Sequence, residues 1–146
     1  MSIQLRDRYI PEIITPSNIV INGADGWDTV LNKCQDIINL NVPGTYNINR
    51  PRRSGKTTLC ACLMNNFDNC VMICNNSIEE IRVRRDYGIK SPNRYNIYSD
   101  IKSLVGRSYA YNWLLIDDIT EDKWNEIVYY KGFGITRCIR IGTPNG

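Results

Sequence analysis

From Trp27 onward the chain alternates between two hydrophobic periods. "WDTVLNKCQDIINL" places Val30, Leu31, Cys34, Ile37 and Ile38 at helical spacing with Asp28 near the start, and "NVPG" breaks the pattern. "TYNIN" reads as a strand, and "GKTTLCACLMNNF" as a helix with a largely buried face. "CVMIC" is short, apolar and β-leaning. "SIEEIRVRRDYG" is expected to be a helix opened by a capping box of Ser77 and Glu80. "RYNIY" is a further strand, "SDIKSLVG" a short helix or turn, and "NWLLID" a strand that ends in acid. "TEDKWNEIVYY" follows as a helix with Thr120 as cap and acids in its first turn, and "RCIRIG" is the last strand. Ahead of Gly26, Pro11, Pro16 and "NGADG" predict irregular chain around one short strand, "NIVI".

Strands alternating with helices predict an α/β fold, a parallel sheet covered on both faces. Such a sheet puts its functional loops at the carboxyl ends of the strands. The expected organisation is an N-terminal segment, residues 1–45, carrying one helix, and a compact core over residues 46–146.

Composition adjusts this picture only slightly. A net charge of +3 is spread along the chain with both signs mixed, so charge alone does not predict nucleic-acid binding. No apolar run approaches a membrane span, and "MSIQLRDRYIPEI" lacks a hydrophobic signal region, so the chain is expected to act inside a cell without membrane attachment. The glycosylation-type "NNS" at Asn75 to Ser77 would then go unused. Cys60, Cys62, Cys70 and Cys74 sit in apolar runs, where reduced cysteine serves as a small hydrophobe. Zinc is the competing reading, but C-x-C and C-x3-C depart from zinc spacing and the chain has no histidine.

Chemistry concentrates in "YNINRPRRSGKTTLC". "SGKTT" between an expected strand and an expected helix is the context of a phosphate-binding loop. Backbone N–H groups of Arg53, Ser54, Gly55, Lys56, Thr57 and Thr58 would wrap phosphates at the helix start, with Gly55 permitting close approach. Lys56 would reach the β- and γ-phosphates of ATP, and the Thr57 hydroxyl would face Mg²⁺. Arg50 stands where the usual pattern has its first glycine, so the loop must open differently. Arg52 or Arg53 could add bidentate bonds to phosphate oxygens, or the three arginines could form only a solvated loop.

"YNWLLIDDI" has the form of a Walker B strand ending in two acids. Asp117, on a strand expected beside that of the phosphate loop, would hold Mg²⁺, and Asp118 would orient the attacking water. "RCIRIGTPNG" adds small polar residues after a strand, including Thr143, that either reach the γ-phosphate region or form a simple turn.

Taken in order, "PRRSGKTT", "SLVGRSYAYNWLLIDDI" and "IRIGTPNG" resemble the ATPase domain of the large terminase subunit, the viral DNA-packaging motor. The resemblance covers Tyr46 to Gly146 and implies a P-loop NTPase fold of the ASCE-like type. It matches Arg52 to the family's arginine four residues before the lysine, Gly106 to a glycine ahead of the Walker B strand, and Thr143 to a coupling motif. What it implies is an ATPase using ATP and Mg²⁺, with Arg52, Lys56, Asp118 and Thr143 as catalytic residues and Thr57 and Asp117 at the metal. Double-stranded DNA is the implied partner, with motor subunits, a capsid portal or further copies of the chain beside it. The implied location is host cytoplasm, nucleus or virion.

There are three departures. The family usually has Asp-Glu where this chain has Asp117-Asp118, one methylene short; its nuclease domain has no counterpart; and the late ATPase strands are missing. The chain is therefore expected to be a fragment, half of a split gene, or a reduced relative, and not to cut DNA by itself. Two other readings stay open: a helicase-like viral NTPase, and a nucleotide-binding assembly module without turnover.

Overall fold

The computed structural model describes residues 18–21, 26–51, 53–89, 96–100, 113–129 and 137–142. Six strands and four helices are placed: β1 Asn18–Ile21, α1 Trp27–Leu40, β2 Gly44–Asn49, α2 Lys56–Asn66, β3 Cys70–Ile73, α3 Ser77–Asp86, β4 Ile97–Tyr98, β5 Trp113–Asp117, α4 Glu121–Tyr129 and β6 Arg137–Gly142. All six strands form one parallel sheet in the order β1-β2-β6-β5-β3-β4.

Burial follows from the pleat. In β3, Cys70 and Met72 join one core cluster while Val71 and Ile73 join the other; in β5, Trp113 and Leu115 divide from Leu114 and Ile116 in the same way. Both strands are buried along their whole length, as a parallel sheet with two covered faces requires. One cluster takes in Val30, Cys34 and Ile38 of α1, Leu59 and Leu63 of α2, and Val83 of α3. The other is closed by Ile119 and by Ile127 of α4. The segment ahead of Tyr46 thus supplies an edge strand and a core helix to the same sheet.

Five of the six cysteines are buried, and burial pushes the thiols of Cys34, Cys70 and Cys74 up to about 12. These side chains therefore act as small apolar groups at neutral pH. Asn41 ends α1 in the left-handed region (φ 56°), a conformation asparagine tolerates; its N–H donates to the Ile37 carbonyl and its Oδ1 accepts from Trp113 Nε1 at 3.2 Å. Among the described residues no helix is long and apolar enough to cross a membrane.

Three sequence expectations need correction. The strand carrying Asp117 does not lie beside β2, because β6 is inserted between them. The cap of α3 is Asn76 rather than Ser77: Asn76 is extended (φ −154°, ψ 174°) and its Oδ1 accepts from the Glu79 N–H at 2.9 Å, so the cap sits one residue earlier. β4 is only Ile97–Tyr98 of the expected "RYNIY"; Asn96 precedes the strand, and Arg94 and Tyr95 lie outside the described residues. The cap of α4 is as expected, with Thr120 Oγ1 accepting from the Lys123 N–H.

Candidate functional site

The ends of β2, β6 and β5 are level. Asn49 pairs with Gly142 and Asp117 with Ile141 in the sheet register. The next residue along each outer strand is tied back to the middle one: Arg50 N–H donates to the Gly142 carbonyl at 2.8 Å, and Asp118 N–H to the Ile141 carbonyl at 2.7 Å. Strand β6 therefore sets the spacing between the loop after β2 and the acids after β5.

The loop answers the question raised by Arg50. Within the described part of this loop, left-handed backbone occurs at Arg53 (φ 59°) and Gly55 (φ 82°), and Arg50 does not adopt it. The position that usually carries glycine thus needs no glycine here. Arg50 is itself buried, and its Nη2 reaches the Ser54 carbonyl at 3.4 Å, across the loop. Gly55 is constrained twice. Beyond its positive φ, an added Cβ would meet Trp27 Nε1 at 2.9 Å, and that indole nitrogen donates to the Gly55 carbonyl at 3.2 Å. Trp27 at the start of α1 is thus a brace for the loop, reached from 28 residues away with no local motif to announce it.

Lys56 opens α2 and is only 7% exposed. Its Nζ donates to the Pro51 carbonyl at 3.1 Å and lies 3.7 Å from Asp118 Oδ2. Thr57 Oγ1 donates to Asp117 Oδ2 at 2.8 Å, joining residues 60 apart in sequence. The other oxygen, Asp117 Oδ1, is buried and has no hydrogen-bond partner among the described residues, as is also true of Ser54 Oγ. Burial raises the Asp117 pKa to about 6, helped by the negative charges of Asp118 and Glu79; the Thr57 hydrogen bond and Lys56 work in the opposite direction.

Of the other sequence candidates, Arg53 is exposed and Thr58 Oγ1 donates to Tyr87 Oη at 3.3 Å. Asp118 takes a left-handed conformation (φ 46°), and its side chain is 43% exposed beside Lys56. Arg52, Gly106 and Thr143 lie outside the described residues.

A cavity of about 260 Å³ adjoins Thr57, Asp117 and Asp118. Its far wall is Asn75, Asn76, Glu79 and Arg82, from the loop after β3 and the first turns of α3. The two walls are fastened together: Asn75 Oδ1 accepts from the Thr120 N–H at 3.2 Å, and the Asn75 carbonyl accepts from Lys123 Nζ at 2.9 Å. Lys123 Nζ also bonds the Ser99 carbonyl after β4. No motif spacing in the sequence joins this wall to the residues across the cavity. The general signal was available, since the loop follows a strand at the carboxyl edge of the sheet.

The donor set fits a hard divalent cation: a threonine hydroxyl, a carboxylate bound to it, and a second buried carboxylate oxygen without a partner among the described residues. No family model, curated protein or solved structure matches this chain.

Proposed function

We propose that this chain is a P-loop ATPase that binds ATP with Mg²⁺ and hydrolyses it, and that it works as a motor-type enzyme on double-stranded DNA. The observation that carries the ATP-Mg²⁺ reading is the Thr57–Asp117 hydrogen bond across the carboxyl edge of the sheet, with a buried carboxylate oxygen left over. A glycine-lysine-threonine helix start and an aspartate from a distant strand converge there as a nucleotide-metal site requires. The strand order supports the ASCE-like class, since β6 stands between the strand of the phosphate loop and that of the acids. Motor activity and the DNA partner rest on the terminase resemblance.

In this reading Thr57 and Asp117 would hold Mg²⁺, which would supply charge neutralisation to the phosphates. The N–H groups at the start of α2 receive phosphate oxygens, since among the described residues no side chain caps that helix and no acid stands in its first turn. Lys56 exchanges its bond to Pro51 for the phosphates, and Arg52 supplies further charge to the group in transfer. Asp118, which lines the cavity beside Lys56, would help to hold a water on the phosphate side.

A second reading, nucleotide binding without turnover, draws on the pairing of Asp118 with Lys56. Calorimetric titration with ATP-Mg²⁺ and steady-state phosphate release, with and without double-stranded DNA, test both. Binding with turnover supports the enzyme. Binding alone supports the module, and no binding defeats the nucleotide reading.

A further inference from the structure

The far wall of the cavity carries a carboxylate that the Walker-type motifs do not account for. Glu79 sits in the first turn of α3, held by the Asn76 cap on its N–H, and faces the same cavity as Thr57, Asp117 and Asp118. Its side chain pairs with Arg82 one turn later, which also lines the cavity. Asp117, Asp118 and Glu79 line one space, and among the described residues no three acids, cysteines or histidines converge as a metal cage. Asp117, 6% exposed with Oδ1 unpartnered among the described residues, marks the metal side of that space.

Resting on the ATPase reading above, we propose that Glu79 is the catalytic carboxylate that orients and deprotonates the attacking water, and that Arg82 is its positioning residue. Asp118 is poorly built for that task alone. It is one methylene shorter, its backbone is left-handed, and its Oδ2 already faces the Lys56 ammonium at 3.7 Å. Glu79 has the longer reach and approaches from the opposite wall, across a cavity wide enough for several waters at about 30 Å³ each. Arg82 fixes the carboxylate's direction through an i,i+3 pair on the helix. The wall itself is tied by Asn75 to the loop that carries Asp118, so the two sides keep their spacing.

The step balances as an ordinary hydrolysis. The water oxygen forms a bond to the γ-phosphorus, and that phosphorus loses its bond to the β–γ bridging oxygen, whose electron pair stays on ADP. The water's proton passes to the Glu79 carboxylate. From there it leaves to solvent, which the side chain meets at 32% exposure.

The test compares wild type, Glu79→Gln, Asp118→Asn, Arg82→Ala and Arg82→Lys in ATP-Mg²⁺ calorimetry and steady-state phosphate release, with and without double-stranded DNA. Glu79→Gln should bind ATP as wild type does and lose turnover by roughly 10²-fold or more, the scale of a lost general base. Arg82→Ala should lower kcat by about tenfold to a hundredfold with KM unchanged, and Arg82→Lys should recover part of the loss, which a purely structural role would not produce. Wild-type turnover in Glu79→Gln, with Asp118→Asn inactive, overturns the proposal and leaves the ATPase reading standing. A wild type that binds ATP without turnover overturns the proposal while nucleotide binding survives. A wild type that does not bind ATP ends both.

Discussion

Helices α2 and α3 follow β2 and β3, successive in sequence but separated in the sheet by β6 and β5, and each starts at the carboxyl edge, yet their first turns are built to opposite ends. α3 opens on Asn76, whose side chain accepts from the Glu79 N–H, and carries Glu79 and Glu80 in its first turn. Its exposed N–H groups and its dipole are met from within the chain. α2 opens on left-handed Gly55, has no side-chain cap among the described residues and no acid in its first turn, and begins with a buried lysine. The same helix end is completed by a side chain in one case and, among the described residues, left without one in the other. Buried polar groups follow the same division. Around α2, Asp117 Oδ1 and Ser54 Oγ lack partners among the described residues, whereas the α3 wall is fastened by Asn75, Thr120 and Lys123.

The sharpest way to break the contrast is at Asp117. Asp117→Asn should abolish ATP turnover, with phosphate release falling by roughly 10³-fold or more if this carboxylate holds the metal. The same change should relieve a stability penalty. The folded Asp117 pKa is raised from 3.8 to about 6, so between those pH values the folded state holds more protons than the unfolded chain, and stability falls as pH rises through that window. The penalty is absent below the unfolded value and complete above about pH 6, where two pKa units correspond to about 3 kcal/mol. Denaturant unfolding at pH 4 and pH 7 should show a pH-dependent loss in wild type that shrinks in Asp117→Asn. An unchanged loss would remove Asp117 as its source.

Gly55→Ala comes next. The new Cβ would strain a positive-φ residue and press on Trp27 Nε1, which is fixed by its bond to the Gly55 carbonyl. The expectation is a stability loss of about 1–3 kcal/mol together with weaker ATP binding. Wild-type stability would mean that the brace has slack.

The smallest effect tests the completed helix. Asn76→Ala should cost about 1 kcal/mol in thermal or chemical unfolding, while Ser77→Ala should stay within about 0.5 kcal/mol. The reverse ranking would restore Ser77 as the cap.

These predictions also separate what the sequence made legible from what it did not. The alternation of periods located α1 residue for residue, the helix that follows Gly55 and the strand ending at Asp117, because the signals are local. Strand order is not local. The insertion of β6 between β2 and β5 depends on how crossovers stack, which alternation does not encode. Left-handed backbone at Arg53 was equally hidden, since arginine does not announce a positive φ, and at Asp118 the signal was weak, since aspartate tolerates that region without requiring it. The cap shifted by one residue because Asn76 and Ser77 are both good caps, and only the extended backbone at Asn76 decides between them. Trp27 and Glu79 belong to the site through contacts or a shared cavity that no motif spacing records.

The central claim is that the start of α2 is a nucleotide-phosphate site organised by Lys56. Its direct test is calorimetric titration of ATP-Mg²⁺ into wild type and Lys56→Ala, with circular dichroism to check the fold. The account predicts a saturable wild-type isotherm and an affinity lower by roughly 10²-fold or more in the variant, the scale of one or two lost charge-assisted hydrogen bonds, with an unchanged spectrum. Equal affinity in the two proteins would contradict it.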